Sequence, residues 1–223
     1  MSASLVREMY DRWAGAYDPR PHNPLMLAEQ QAMQARLPAL RGQCVLDLAC
    51  GTGRYSALAA AAGARAIVAA DFSMAMLSRV TAGFRVRAEL TRLPFRDSIF
   101  DTVICGLALG HARDLEVSLR EIARVLRPGG ALVYSDFHPE AARRGLRRGF
   151  RDARGTHQEL PVDGHELPRH LACLRTAGLS DIELVELRAG IEITGDFAGA
   201  ADFYRTWRGV PLAFVIRARR GVP

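Results

Sequence analysis

The sequence has no lysine: all 30 of its basic residues are arginine. It has only four cysteines, Cys44, Cys50, Cys105 and Cys173, with no C-x-x-C pair and no histidine at ligand spacing. That pattern excludes a zinc framework and a disulfide-stapled fold. Free buried thiols are the expectation, in a reducing, cytoplasmic setting. No apolar run reaches the ~18 uninterrupted residues of a spanning helix, since the longest, Ala57 to Ala70, is broken by Gly63 and Arg65. Near the start Arg7 is not followed by an apolar run and a cleavage site, so no signal peptide is expected. Repeats, low-complexity segments and linkers are also missing.

What is present reads as one soluble globular domain. Apolar residues make up 49% and charged residues 24% of 223. A chain of this length buries about 70% of the surface its unfolded form exposes. The formal net charge is +6. With 35 alanines beside an all-arginine basic set, part of that charge reflects compositional bias. Charge of this size speaks to solubility and non-specific partners, not to fold.

From residue 42 onward, short apolar runs alternate with helical ones. Strands are expected at Cys44–Ala49, Ala66–Asp71, Phe84–Ala88, Phe100–Cys105 and Ala131–Ser135. Helices are expected at Gly53–Ala62, Ser73–Thr81 and Leu115–Leu126, the last with Leu115, Leu119, Ile122, Ala123 and Leu126 at 3–4 spacing. Alternation of this kind implies βαβ crossovers and a parallel sheet. An amphipathic helix is expected over residues 5–17, with Leu5, Met9, Tyr10, Trp13 and Tyr17 on one side. Residues 138–165 are polar, arginine-rich and without clear period. Leu167–Ala177 reads as a helix, and Asp181–Leu187 and Leu212–Ala218 as two late strands.

The chemistry concentrates in Val45-Leu-Asp47-Leu-Ala-Cys-Gly51-Thr-Gly53-Arg-Tyr-Ser56, a strand running into a glycine-rich turn and a helix. In an open parallel sheet, ligands bind outside the carboxyl ends of the strands, where this turn lies. Asp71 closes the next strand twenty residues after Gly51, and a carboxylate there accepts ribose hydroxyls. A dinucleotide enzyme fits this much. However, Ser56 replaces the third glycine of G-x-G-x-x-G, and Asp47 sits four residues before Gly51. A carboxylate at that place suits a cationic ligand better than a pyrophosphate. Glu89-Leu90 ahead of Leu93-Pro-Phe, and Phe100-Asp-Thr-Val-Ile, add to the pattern.

With Asp71-Phe-Ser and Leu119-Arg-Glu-Ile-Ala-Arg-Val-Leu-Arg-Pro-Gly-Gly130, these motifs resemble the class I S-adenosylmethionine-dependent methyltransferases. The likeness spans about residues 10–136 and is nearest to the ubiquinone/menaquinone-biosynthesis and malonyl-carrier-protein branch. It implies a Rossmann-like three-layer α/β/α fold with a seven-stranded, mostly parallel sheet. Its last strand, about 212–218, would be antiparallel and inserted beside the fifth. One domain would hold a lid over residues 1–24, a cofactor core over 42–136, a variable acceptor segment over 137–170, and a closing helix and strands over 171–223.

The resemblance also implies roles. Gly51 and Gly53 would let the loop pass under the methionine part of S-adenosylmethionine, with Ala49 beside them and Asp47 holding its amino group. Asp71 would take the ribose hydroxyls, Phe72 would lie against the adenine, and Glu89 and the Leu90 N–H would contact its edge; Met76 reads first as core of its helix, with approach to the adenine as the alternative. The Cys105 carbonyl would meet the amino group, and Tyr17 would sit over the carboxylate end. His111 is the candidate acid/base or acceptor-orienting residue, against the plainer reading of a capping or loop histidine. His138 is a second acceptor-pocket candidate, against a solvated loop histidine. Tyr10 and Trp13 read first as packing residues. Arg143, Arg144, Arg147, Arg148, Arg151 and Arg154 form a basic run at helical spacing, either a solvated face or a docking site for an acidic partner. Methyl transfer to a small acceptor, leaving S-adenosylhomocysteine, is the implied function. The alternatives are an RNA or protein acceptor, a non-catalytic cofactor-binding protein and, more distantly, an NAD enzyme.

Overall fold

The computed structural model describes residues 3–151, 156–160, 164–190 and 200–222. Its elements are α1 (Ala3–Trp13), α2 (Pro24–Gln34), β1 (Cys44–Leu48), α3 (Arg54–Ala61), β2 (Ala66–Asp71), α4 (Met74–Leu77) and β3 (Phe84–Arg87). There follow β4 (Phe100–Gly106), α5 (Leu115–Val125), β5 (Leu126–Phe137), α6 (Pro139–Arg143), β6 (Gly149–Arg151) and β7 (His157–Glu159). The chain continues through α7 (Leu167–Thr176), β8 (Leu179–Arg188), α8 (Ala200–Trp207) and β9 (Pro211–Arg220).

A seven-stranded sheet runs β3-β2-β1-β4-β5-β9-β8, with a separate β6-β7 pair. The first five strands are parallel. β9 is antiparallel to both β5 and β8, inserted between them as the family likeness implies. Side chains alternate across the sheet with the strand period. Val45, Ile67, Ile104, Val133 and Val215 pack toward Met33 and Ala59 of α2 and α3. Leu46, Val103, Leu132 and Phe214 face the opposite way, against Leu119 and Ile122 of α5 and Leu174 of α7. This is a three-layer α/β/α sandwich. No helix among the described residues is long and apolar enough to cross a membrane.

Three elements differ from expectation. α4 is one turn rather than Ser73–Thr81, because Arg79 and Val80 switch to i→i−3 bonds and Val80 turns inward onto Cys50 and Leu77. β5 begins at Leu126 rather than Ala131: Leu126 pairs with Phe100, Ala131 with Thr102, and the Arg127–Gly130 turn bulges between them. α1 ends at Trp13 and a 3₁₀ turn leads into Tyr17, whose backbone is extended. Leu5 is exposed, so Val6 rather than Leu5 carries the buried face. α2 went unread, although Asn23 caps it through the Met26 N–H and Pro24 sits at its first position. α8 also went unread. Within 138–165 the chain forms α6 and the β6–β7 hairpin.

Candidate active site

The sheet order reverses between β1 and β4, which places a crevice at their carboxyl ends. A cavity of about 670 Å³ fills it. Strand ends and the turns after them form its floor: Asp47–Thr52, Asp71–Phe72, Ala88–Thr91 and Gly106–Ala108. Val6, Tyr10 and Tyr17 close it from the N-terminal segment, and His111, Arg113 and Arg148 from the far side.

Left-handed backbone shapes that floor. After β1, Ala49 has φ +52°, Gly51 +55° and Gly53 +85°, and after β4 Leu107 has φ +53°. Two of these are non-glycine residues in a sparsely populated region, a mark of over-determined functional geometry. At Gly53, the residue capping α3, a Cβ would sit 3.0 Å from the Val80 side chain. Gly53→Ala is expected to cost about 1–2 kcal/mol from the backbone conformation alone, read by urea unfolding.

The acidic residues are held by the loop. Asp71 Oδ2 accepts the Gly51 N–H at 2.8 Å, and Oδ1 accepts the Ser73 N–H at 2.9 Å. Asp47 Oδ2 accepts both the N–H and the hydroxyl of Ser56, each at 2.7 Å. The serine that replaces the third glycine thus anchors this carboxylate. Asp47 Oδ1 is buried without a hydrogen-bond partner, as is Thr52 Oγ1. Burial pushes the Asp47 carboxyl up to about 7 and that of Asp71 up to about 6, against the hydrogen bonds just named. A ligand with cationic and hydroxyl donors satisfies these oxygens, whereas a pyrophosphate repels them.

Behind the floor, Glu29 of α2 is fully buried. Its Oε2 pairs with Arg54 at 2.8 Å, and its Oε1 accepts hydrogen bonds from Tyr55 at 2.7 Å and Ser135 at 2.5 Å. One carboxylate therefore ties α2, α3 and β5 together beneath the cavity. Above it, Asp11 of α1 accepts from the Ser73 hydroxyl at 2.5 Å, and Arg79 donates to the carbonyls of Ala14 and Tyr17. These contacts bolt the N-terminal segment over the site.

The cavity gathers most of the residues singled out in the sequence: Tyr17, Asp47, Ala49, Gly51, Asp71, Phe72, Glu89, Leu90 and His111. It leaves others out. Met76 is fully buried in the core and does not reach it. The Cys105 thiol points into the core and burial raises its pKa; the strand runs one residue further, so Gly106 lines the cavity instead. Gly53 acts on loop shape rather than as a wall. His138 is neither solvated nor in the pocket: its Nδ1 accepts the Glu140 N–H at 3.1 Å, capping α6, and its Nε2 lies 3.2 Å from Glu186.

Two residues with other readings in the sequence, Tyr10 as packing and Arg148 within the basic run, also line the cavity. The Tyr10 hydroxyl lies 3.0 Å from His111 Nε2. Arg148 reaches the same nitrogen at 2.8 Å and also donates to the Leu107 carbonyl. The arginine run is thus no helical face. α6 stops at Arg143, and Arg143 and Arg144 pair with Glu140. Arg154 lies outside the described residues.

Comparison with known proteins agrees with this geometry. Residues 46–134 match the family model described as a methyltransferase domain. A demethylmenaquinone methyltransferase of Mycolicibacterium paratuberculosis is 40% identical over 138 residues, 59% of this chain and 59% of that protein. The match thus spans less than two thirds of that relative's length. An S-adenosylmethionine-dependent methyltransferase structure from Mesorhizobium loti superposes with a TM-score of 0.70 at 26% identity, covering 86% of this chain and 98% of that one. A possible histamine N-methyltransferase from Thermotoga maritima gives a TM-score of 0.71 at 17% identity, covering 96% and 99%, a likeness of fold alone. Sheet order, strand-end cavity and the match over residues 46–134 converge: this chain is similar in fold and in that segment to the S-adenosylmethionine-dependent methyltransferases.

Proposed function

We propose that this protein transfers a methyl group from S-adenosylmethionine to a small-molecule acceptor. The observation that carries the reading is Asp47, whose Oδ1 is buried and unpartnered, in the lining of a strand-end cavity that Asp71 also lines. S-adenosylmethionine supplies an electrophilic methyl on a sulfonium. In this reading Asp47 holds its amino group and Asp71 its ribose hydroxyls. Phe72 lies against the adenine, with Glu89 and the Leu90 N–H at the adenine edge and Tyr17 over the carboxylate end. Gly51 and Gly53 let the loop pass close beneath. The protein's task is alignment and exclusion of water, which α1 and the α6–β7 segment accomplish as a cover. The demethylmenaquinone methyltransferase likeness favours a small acceptor over RNA or protein. Outside the cavity, Arg143 pairs with Glu140 and Glu166, and Arg144 with Glu140.

Calorimetric titration with S-adenosylhomocysteine across pH tests this. Asp47 and Asp71 keep their protons to about 7 and about 6 in the folded protein, against an ordinary 3.8. The native state therefore binds more protons than the unfolded one in that window, and raising the pH through it lowers the stability of the free protein. A cationic amino group needs the ionised carboxylate. Affinity for S-adenosylhomocysteine is thus expected to rise between pH 5.5 and 7.5, with proton release on binding, and Asp47→Asn is expected to flatten the profile. A pH-independent affinity in the wild type contradicts the assignment of Asp47.

A further inference from the structure

Arg148 is a cation set in the cavity wall without a carboxylate partner. No ion pair among the described residues holds it; Asp136 feels its charge but forms no ion pair with it. Its contacts are a carbonyl, Leu107 O, an imidazole nitrogen, His111 Nε2, and the faces of Phe137 at 5.2 Å and Tyr10 at 5.8 Å. Cation–π contacts and neutral acceptors hold a guanidinium in place but do not neutralise it. The position itself is fixed by the backbone. The Arg148 carbonyl accepts the Leu160 N–H at 2.8 Å, and next to it a Cβ on Gly149 would lie 2.5 Å from the Gln158 carbonyl. Phe150, two residues on, stacks on Trp13 at 4.7 Å and 10°.

His111 adds the second half. A guanidinium carries only donors, so Nε2 must accept from Arg148. That nitrogen has one lone pair, so the Tyr10 hydroxyl, 3.0 Å away, shares it with Arg148 in a three-centre contact. Nε2 is committed as an acceptor and is unavailable as a base at that atom while Arg148 stays. Tyr10 meets His111 edge-on at 5.6 Å and Phe72 edge-on at 5.9 Å.

We propose that Arg148 is the acceptor-recognition residue, and that it binds an oxyanion carried by the acceptor. The acceptor enters ionised, its oxygen taking the guanidinium donors in place of a protein carboxylate. This inference rests on the methyl-transfer reading above, and goes beyond it by naming the acceptor's chemical class.

The test uses the whole protein saturated with S-adenosylhomocysteine and three probes of similar shape: p-nitrophenol, 4-nitrobenzoate and the neutral p-nitroanisole. Wild type is expected to bind at least one of the two acids about tenfold or more tighter than the neutral ether. If the phenol is preferred, its bound form shows the phenolate absorbance with a midpoint about one pH unit below that of the free probe. Preference for the benzoate instead identifies a carboxylate acceptor. Arg148→Gln is expected to erase the preference for the anion, and Arg148→Lys to retain part of it. Unchanged S-adenosylhomocysteine affinity and melting temperature in both variants report that they fold. Anions bound no tighter than the ether by wild type, no binding of any probe, or a preference that survives in Arg148→Gln overturns the proposal. Failure of wild type to bind S-adenosylhomocysteine instead overturns the methyl-transfer reading on which it rests.

Discussion

Replacing Asp71 by alanine is expected to weaken S-adenosylhomocysteine binding by at least about tenfold, and closer to a hundredfold. Two losses combine. The carboxylate that would accept both ribose hydroxyls disappears. So does the acceptor for the Gly51 and Ser73 N–H groups, at 2.8 Å and 2.9 Å, which shape the loop after β1 and start α4. Hydrogen bonds to charged groups contribute about 1.5–3 kcal/mol each, so either loss alone accounts for the lower figure. Asp71→Asn keeps one carbonyl oxygen for the loop and is expected to fall between wild type and alanine. Calorimetry on the three proteins reads the series. Equal affinities for all three would remove Asp71 from the ligand site.

The largest expected stability effect lies at Glu29. Glu29→Ala leaves Arg54, which is only 12% exposed, without its carboxylate, and the Tyr55 and Ser135 hydroxyls without their acceptor. Removing one member of a buried pair costs about 3–5 kcal/mol. For a domain of this size that is a fall of about 6–20 °C in melting temperature. Glu29→Gln retains an acceptor for the hydroxyls and is expected to recover part of the loss. Thermal unfolding by circular dichroism measures both. Because Arg54 and Tyr55 also line the cavity, weaker ligand binding is expected to accompany the lower stability.

The two networks show where sequence reading reached and where it stopped. Asp47, Gly51 and Asp71 were legible because strand, turn and helix are contiguous and their spacing is imposed by one βα turn. The parallel sheet was legible for the same reason, from apolar runs alternating with helical ones. Glu29 was not, since its partners Arg54, Tyr55 and Ser135 lie 25, 26 and 106 residues away. A charged residue on α2 looks like a solvated one until β5 is laid beside it. Ser56 was visible as a departure from the glycine pattern, but its reason, the Asp47 carboxylate, needed the fold. Arg148 was hidden inside a basic run. Only the Gly145 turn after α6 and the β6–β7 hairpin separate it from its solvent-facing neighbours, and neither has a strong periodic signal. His138 differs in the opposite sense: it follows β5 toward the site, yet it caps α6 and meets Glu186, while Met76 takes the core place that reads first for its helix.

The most direct test of the cavity's identity sets two ligands against one protein. Wild type is titrated by calorimetry at pH 7.5 with S-adenosylhomocysteine and separately with NADH. Two buried carboxylates flanking the turn, one with an unpartnered oxygen, favour a ligand with a cationic amino group and no pyrophosphate. The expected result is micromolar binding of S-adenosylhomocysteine, about −8 kcal/mol, and none of NADH at the same concentrations. Binding of NADH without binding of S-adenosylhomocysteine would contradict the central claim and return the strand-end site to the dinucleotide class.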